Sequence, residues 1–152
     1  MNNLHIYCTS IKKFKLLNNL PSYITPLGLG KNYFYQNWSD EKKGKNISEL
    51  NKYYGELTGI YWIWKNKISN LKSDDLIGIC HYRKLWLNNL FQNKQKFSKQ
   101  SLYANLLKET NEVLRLSDAI QVQPIIFEKR NLLQDFKIIH QNNALEASID
   151  FL

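Results

Sequence analysis

Residues 51–83 read NKYYGELTGIYWIWKNKISNLKSDDLIGICHYR, and this stretch decides the fold. Its first part is rich in aromatic and aliphatic side chains at helical spacing and predicts one long helix ending near Leu71. A short polar connection follows. Residues 76–80 then form an apolar run that predicts a strand, and the run ends abruptly at His81-Tyr82-Arg83.

The predicted helix has two neighbouring faces at about 100° per residue. We expect one of them, an apolar stripe, to face the core; it contains Leu50, Tyr53, Leu57, Ile60, Trp64, Ile68 and Leu71. The other face combines large rings with hydrogen-bonding groups; it contains Asn51, Tyr54, Thr58, Tyr61, Trp62 and Lys65. Glu56 flanks the stripe on its far side. Asn46, with Glu49 three residues later, predicts a capping box at the start of the helix.

The strand over residues 76–80 is apolar without alternation, which is typical of a strand covered on both faces of a parallel or mixed sheet. Directly after it come His81, Tyr82, Arg83 and Lys84. In open α/β sheets, ligands bind outside the carboxyl ends of the strands. The sequence therefore predicts a candidate site at His81-Tyr82-Arg83.

The remaining segments complete an alternating pattern. We expect strands over 4–8, 23–26 and 118–123, and helices over 101–116 and 131–152, the last containing His140. Gly28 and Gly30 match only part of a phosphate-binding loop, and a simple turn is the favoured interpretation. Residues 39–44 have the composition of an exposed loop. Trp38 beside them marks either a lid or a loop anchored by its own ring. Strands that alternate with helices predict an α/β fold.

Composition bounds the function. The chain has 152 residues, which suits one domain, and a net charge of +8, which suits anionic partners such as nucleotides, nucleic acid or lipid headgroups. Cys8 and Cys80 lie in predicted buried strands without metal-ligand spacing, which favours a reducing cytoplasm. No run approaches the length of a membrane span. Lys12, Lys13, Lys15 and the lysines of 94–99 are interpreted as solvated faces, with anionic lipid as the alternative.

Three sequence motifs make this chain resemble a known protein family. They are Gly44-x-Asn46-Ile47-Ser48, then Asn51-x-x-Tyr54-x-Glu56-Leu57-Thr58-x-x-Tyr61-Trp62-x-Trp64-Lys65-Asn66, then Ile77-Gly78-x-Cys80-His81-Tyr82-Arg83. In order, spacing and residue type, the chain resembles a bacterial family catalogued as a domain of unknown function and associated with capsular polysaccharide and lipopolysaccharide glycosyltransferases. It departs from that family at Gly55, where a Cys is usual, at Lys45, where an Asp is common, and at Lys84, where a second Arg is usual.

The resemblance implies a single GT-A-like (Rossmann-like) domain over 1–152, with a mixed, mostly parallel sheet flanked by helices and truncated at its C-terminus. It implies a donor site for a nucleotide-diphosphate sugar, most simply a UDP-sugar, and a growing capsular or lipopolysaccharide glycan as acceptor. The residues it assigns to the donor are Thr9, Glu56, Thr58, Tyr61, Trp62, Lys65, Asn66 and Tyr82, with Arg83 and His81 in catalytic roles. Because paired carboxylates are lacking at 81–83, dependence on Mn²⁺ or Mg²⁺ stays open. The implied location is the cytoplasm, at the inner face of the membrane.

Two other functions compete with a transferase. A basic chain rich in Tyr and Trp is also typical of a nucleic-acid-binding module, although here the rings lie in periodic segments and the lysines in loops. A catalytically inactive remnant would bind a ligand without turnover. On spacing alone, Tyr61, Trp62 and Trp64 are more often core residues than sugar platforms, and a lone strand-end His81 is more often structural.

Overall fold

In the computed structural model, the described residues are 4–88, 98–108, 116, 118–121, 131, 134 and 138. Two compact units make up the chain, residues Met1–Leu116 and Ser117–Leu152. The expectation of one domain over 1–152 stays a prediction.

A four-stranded sheet organises the first unit, in the order β3-β2-β1-β4. The strands are β1 (Leu4–Ser10), β2 (Ile24–Gly28), β3 (Ser39–Asp40) and β4 (Leu76–His81). Each neighbouring pair is parallel. The predicted α/β class with a mostly parallel sheet is confirmed, as are the strands predicted at 4–8, 23–26 and 76–80.

Both faces of β1 are buried, and its side chains alternate between two cores. Ile6 and Cys8 pack with Leu17, Trp38 and Leu106 on one face. On the opposite face, Tyr7 packs with Leu27, Leu29, Trp62 and Ile63. The sheet is therefore the middle layer of three, with the 3₁₀ helix Lys15–Asn19 on one side and helix α2 (Leu57–Asn66) on the other.

The prediction of one long helix is wrong. The segment is instead a 3₁₀ turn (Ser48–Leu50), the four-residue helix α1 (Asn51–Tyr54), helix α2 and a second 3₁₀ turn (Ile68–Asn70). Gly55 has φ +54° and ends α1. Side chains with a Cβ are disfavoured at positive φ, so glycine permits this sharp break. Asn46 accepts hydrogen bonds from the Ser48 amide (3.2 Å) and hydroxyl (2.9 Å) instead of forming the predicted capping box.

The expected core stripe is also wrong, on both sides of Gly55. Trp64 is 55% exposed, and Leu50, Tyr53, Leu57, Ile60 and Ile68 are exposed as well. The buried face of α2 is Thr58, Gly59, Trp62 and Ile63. Gly59 lies so close to the sheet that a Cβ there would be 2.8 Å from Leu29 Cδ2. The small residue thus lets α2 approach the strands.

Three further expectations are corrected. β4, predicted to be covered on both faces, is an edge strand among the described strands, and only Cys80 in it is buried. Helix α3 covers Lys99–Ala104 and does not continue through 105–108, where Leu106 bridges to Leu87; residues 109–115 of the helix predicted over 101–116 lie outside the described part. Residues 118–121 do not form the predicted strand, and residues 122–123 lie outside the described part.

Little of the second unit is described. Asn131 and Gln134 exchange two hydrogen bonds of 2.9 Å between side chain and backbone, as in a capping box, and Gln134 is helical. This agrees with the helix predicted to start at Asn131. His140 lies outside the described residues.

The two thiols, Cys8 and Cys80, are buried, and they face each other in the register of β1 and β4. A hydrogen bond with Cys8, together with burial, raises the pKa of the Cys80 thiol above its ordinary value. A thiol with a raised pKa is a poor nucleophile. Cys80 is therefore a core residue rather than a reactive one.

Candidate functional site

The strand order creates a switch point between β1 and β4. From β1 the chain proceeds outward to β2 and β3, then returns through α2 to place β4 on the other side of β1. In open α/β sheets the crevice outside the carboxyl ends at such a point is the usual ligand site. Thr9 and Ser10 end β1 there, and His81 ends β4.

Two hydrogen bonds join these strand ends. The Thr9 hydroxyl donates to the Cys80 carbonyl (3.1 Å), and the Tyr82 amide donates to the Thr9 carbonyl (3.0 Å). The chain then turns sharply, because the Lys84 amide donates to the His81 carbonyl (2.7 Å). This turn projects Arg83 into solvent. Thr9 is itself buried, so its side chain holds the edge together.

His81 meets the start of α2. Its Nε2 lies 3.3 Å from Oε1 of Glu56, the residue that precedes α2. The backbone amide of Arg83 donates to His81 Nδ1 (3.4 Å), so in the neutral ring the proton is on Nε2 and points at Glu56. Burial lowers the pKa of His81; Glu56 opposes this effect, and Arg83 and Lys84 add to it. His81 is thus mainly neutral at pH 7, with a defined orientation.

Two cationic side chains lie near the Tyr82 ring. The Arg83 guanidinium lies 5.3 Å from the centre of the Tyr82 ring, and Lys12 Nζ lies 5.8 Å from it. Phe14 contacts the same ring edge-on at 5.7 Å. Arg83 forms no ion pair with the carboxylates of the described residues. Its charge is therefore available to an anion. Lys12, predicted from the sequence only to be solvated, adds a second charge.

The other predicted site residues lie elsewhere on α2. Thr58 is buried; its hydroxyl donates to the Gly55 carbonyl (3.0 Å) and accepts from Asn51 Nδ2 (2.8 Å). Tyr61 packs edge-on against the exposed Trp64, and Lys65 Nζ lies 3.4 Å from the centre of the Trp64 ring. The structure therefore brings Glu56, His81, Tyr82 and Arg83 together, whereas Tyr61 and Lys65 make their described contacts with Trp64.

Trp62 and Asn66 anchor a loop. Trp62 Nε1 donates to the Lys43 carbonyl (2.5 Å), and the Asn66 amide group both donates to the Lys45 carbonyl (2.8 Å) and accepts from the Lys45 amide (3.0 Å). Their polar atoms are engaged by backbone. A role in contacting a donor sugar stays a prediction for both residues.

Gly28 ends β2, and the chain turns at Gly30 directly after it. Gly30 has φ +74°, and its backbone N–H donates to the side chain of Glu41 rather than standing free for a phosphate. Trp38 is anchored, since its Nε1 donates to Asn18 (2.8 Å) and its ring stacks on Phe34. Residues 39–44 are thus not the exposed loop expected, because Glu41 within them is fully buried.

The side chains described at this site offer few ligands for a metal ion. Within the described residues, no group of three or more His, Cys, Asp or Glu side chains could hold a metal ion. Glu56 and His81 are a pair only. Divalent ions in nucleotide sites need oxygen ligands beyond such a pair.

The fold and the site together define an α/β domain with a cationic ligand edge. A family model described as a domain of unknown function, DUF4422, matches residues 5–152, and the chain belongs to this family. No curated protein matches the sequence. A solved structure named as the WbbM bifunctional glycosyltransferase in its apo form is 36% identical, with a TM-score of 0.44. The match covers 64% of this chain, which spans only 16% of that protein.

The His81 environment predicts a pH dependence. An NMR titration is expected to give His81 a pKa below the ordinary value of about 6.5, because burial disfavours the charged ring. Glu56→Gln is expected to lower that pKa further and Arg83→Ala to raise it. Since the unfolded chain then binds the proton more readily than the folded chain, stability contributed by His81 falls as the pH drops below about 6.5. A pKa above 6.5 in the native protein would contradict this geometry.

Proposed function

We propose that this chain binds a nucleotide-diphosphate sugar and belongs to a glycosyltransferase that passes the sugar to a growing capsular or lipopolysaccharide glycan. One observation carries the proposal. At the β1–β4 switch point, the Glu56–His81 contact of 3.3 Å joins the start of α2 to a strand end that presents Arg83, which has no carboxylate partner among the described residues. The motif resemblance and the GT-A-like strand order support the same function.

The chemistry required is neutralisation of a leaving group. When the bond from the anomeric carbon to the diphosphate oxygen breaks, negative charge builds on the diphosphate, and preorganised cations lower the barrier. Arg83 offers a planar fork of donors that suits phosphate oxygens, and Lys12 supplies a second charge on the same ring. Glu56 orients His81 beside them. Thr9 and Thr58 act as supports, because both are buried and hydrogen-bonded.

Location and partners belong to the same proposal. A nucleotide-sugar donor places the protein in the cytoplasm, and an acceptor glycan on lipid would bring it to the inner membrane face. Across the described residues, no helix is both long and apolar enough to cross a membrane. Exposed lysines such as Lys13 and Lys15 offer charge for contact with anionic lipid.

A thermal-shift screen tests this function. We expect one UDP- or GDP-sugar to raise the melting temperature in a saturable way, because a ligand that binds only the folded state stabilises it. The screen is run with and without Mn²⁺, and with a single-stranded oligonucleotide for comparison. Stabilisation by the oligonucleotide alone, lost steeply with salt, would favour the nucleic-acid module instead. Binding without sugar transfer to any acceptor would identify an inactive relative.

A further inference from the structure

Glu41 follows β3 and is 0% exposed. One oxygen of its carboxylate, Oε1, accepts a hydrogen bond from the Gly30 backbone N–H. The other, Oε2, is shielded from water and has no hydrogen-bond partner within the described part of the chain. A buried polar atom without a partner is costly, and buried carboxylates are normally paired.

The neighbouring cations do not neutralise this carboxylate. Lys42 Nζ is directed away from it, to the Asn32 carbonyl (2.7 Å) and Asp40 Oδ2 (3.5 Å). Lys43 and Lys45 are exposed. No ion pair involving Glu41 occurs among residues 4–88. The unpaired oxygen is thus a feature that the fold tolerates despite nearby lysines.

A framework of hydrogen bonds fixes the loop that carries Glu41. The Glu41 amide donates to the Gly28 carbonyl (3.1 Å). Asn46 Nδ2 donates to the carbonyls of Lys42 (3.1 Å) and Gly44 (2.9 Å), and Trp62 and Asn66 hold residues 43–45 from α2. Such a framework preorganises the carboxylate, as binding groups require.

A second hydrogen-bond acceptor, the side-chain oxygen of Asn51, lies beside Gly30. Asn51 Nδ2 donates to the Gly55 carbonyl and the Thr58 hydroxyl (both 2.8 Å), which fixes the opposite atom, Oδ1, towards Gly30. A Cβ on Gly30 would be 3.0 Å from that Oδ1. Gly30 therefore has a carboxylate on one side and an amide oxygen on the other. Hydrogen-bond acceptors recognise a ligand that supplies donors, and of these acceptors Glu41 Oε2 is buried without a partner among the described residues.

We propose that Glu41, with Asn51, binds hydroxyl groups of the nucleotide-diphosphate sugar; this rests on the proposed function. Because the strands are parallel, the carboxyl ends of all four lie at the same edge of the sheet. The carboxyl ends of β4 and β3 are three strand spacings apart, about 14 Å. An extended nucleotide sugar spans such a distance, with its diphosphate at Arg83 and a ribose or sugar hydroxyl at Glu41. Because Oε2 is shielded from water, neighbouring side chains must shift for the hydroxyl to reach it. A bound cation fits less well, because two acceptors are too few for Mg²⁺ or Ca²⁺ and three lysines are close in sequence.

Calorimetric titration of wild type and Glu41→Gln tests this. The probes are UDP-galactose, UDP and 2′,3′-dideoxy-UDP, with GDP-mannose, GDP and 2′,3′-dideoxy-GDP in parallel. Glu41→Gln keeps the volume and an acceptor for Gly30 but replaces Oε2 with a donor. We expect roughly tenfold or greater loss of affinity, the value of one hydrogen bond to a charged group, without a lower melting temperature. Glu49→Gln, on an exposed carboxylate nearby, is the matched control and should bind as wild type.

The outcomes separate the sources of the hydroxyl. A loss seen with UDP or GDP but absent with its dideoxy form supports the ribose, and a loss confined to the nucleotide sugars supports the transferred sugar. If Glu41→Gln loses the same affinity for every probe, or loses affinity for none, the proposal is overturned while the proposed function stands. Absence of wild-type binding to all six probes overturns both. If Glu41→Gln does not fold, the wild-type protein alone tests the hydroxyl role. Equal affinity of the wild type for UDP-galactose, UDP and dideoxy-UDP, and equal affinity for the three GDP probes, would overturn it.

Discussion

Arg83→Ala is expected to weaken binding of the nucleotide-diphosphate sugar by about 2 kcal/mol, roughly 30-fold, which is the value of a hydrogen bond between charged groups. The reason is that Arg83 projects from the turn after β4, is exposed and has no carboxylate partner among the described residues. Its guanidinium lies 5.3 Å from the centre of the Tyr82 ring. The measurement is calorimetric titration with the sugar nucleotide found in the screen.

Two further variants sharpen the Arg83 prediction. Arg83→Lys should recover only part of the affinity, because an ammonium lacks the planar fork. Lys72→Ala removes an exposed charge just before the amino end of β4, at the opposite edge of the sheet, and should bind as wild type. The melting temperature of Arg83→Ala should stay near that of wild type. Equal losses for Arg83→Ala and Lys72→Ala would show that only overall charge matters.

Gly28→Ala is expected to destabilise the fold by about 2 kcal/mol, within the range for overpacked cores. A Cβ at Gly28 would lie 2.1 Å from Phe34 Cδ2 and 2.3 Å from Phe34 Cγ. The Phe34 ring cannot move freely, because it stacks on Trp38 with centroids 5.6 Å apart. Trp38 is fixed in turn by its bond to Asn18. Urea denaturation followed by tryptophan fluorescence measures the change.

A rescue experiment identifies the cause. Adding Phe34→Ala to Gly28→Ala opens the space, so the double variant should lose less stability than the sum of the two single changes. Gly78→Ala is the control, because it also lies in a strand but its Cβ would meet Ile6 Cγ1 at 3.0 Å, a contact that a small shift relieves. A loss for Gly28→Ala no larger than for Gly78→Ala would argue against the contact with Phe34.

The strands were readable from the sequence, and the helix was not. Unbroken apolar runs such as residues 76–80 predict strands, because few other elements tolerate them at that length. The helical region failed at Gly55: a glycine in a helix costs only about 1 kcal/mol, so its presence alone does not indicate a break. Within α2, Trp62 and Ile63 rather than Leu57 and Trp64 are buried; large apolar side chains occur around most of this segment, so spacing alone does not identify the core face.

The site was predicted in part. The motif resemblance grouped Glu56 with His81-Tyr82-Arg83, and the structure brings Glu56 and His81 into contact. Lys12 and Glu41 were missed for a physical reason. Lys12 reaches Tyr82 only because β1 and β4 are neighbours. Glu41 lies in a run whose composition is typical of a solvated turn, and its burial depends on long-range bonds to Gly28 and Gly30.

The most direct measurement is amide NMR mapping of the binding site during titration with the sugar nucleotide. Shift changes are expected at Thr9, at residues 81–84 and at the start of α2 around Glu56, which form the proposed diphosphate site at the switch point. Amides near Lys72, at the other edge of the sheet, should stay unchanged. Saturable changes confined to that other edge, with residues 81–84 unaffected, would contradict the assignment of the site.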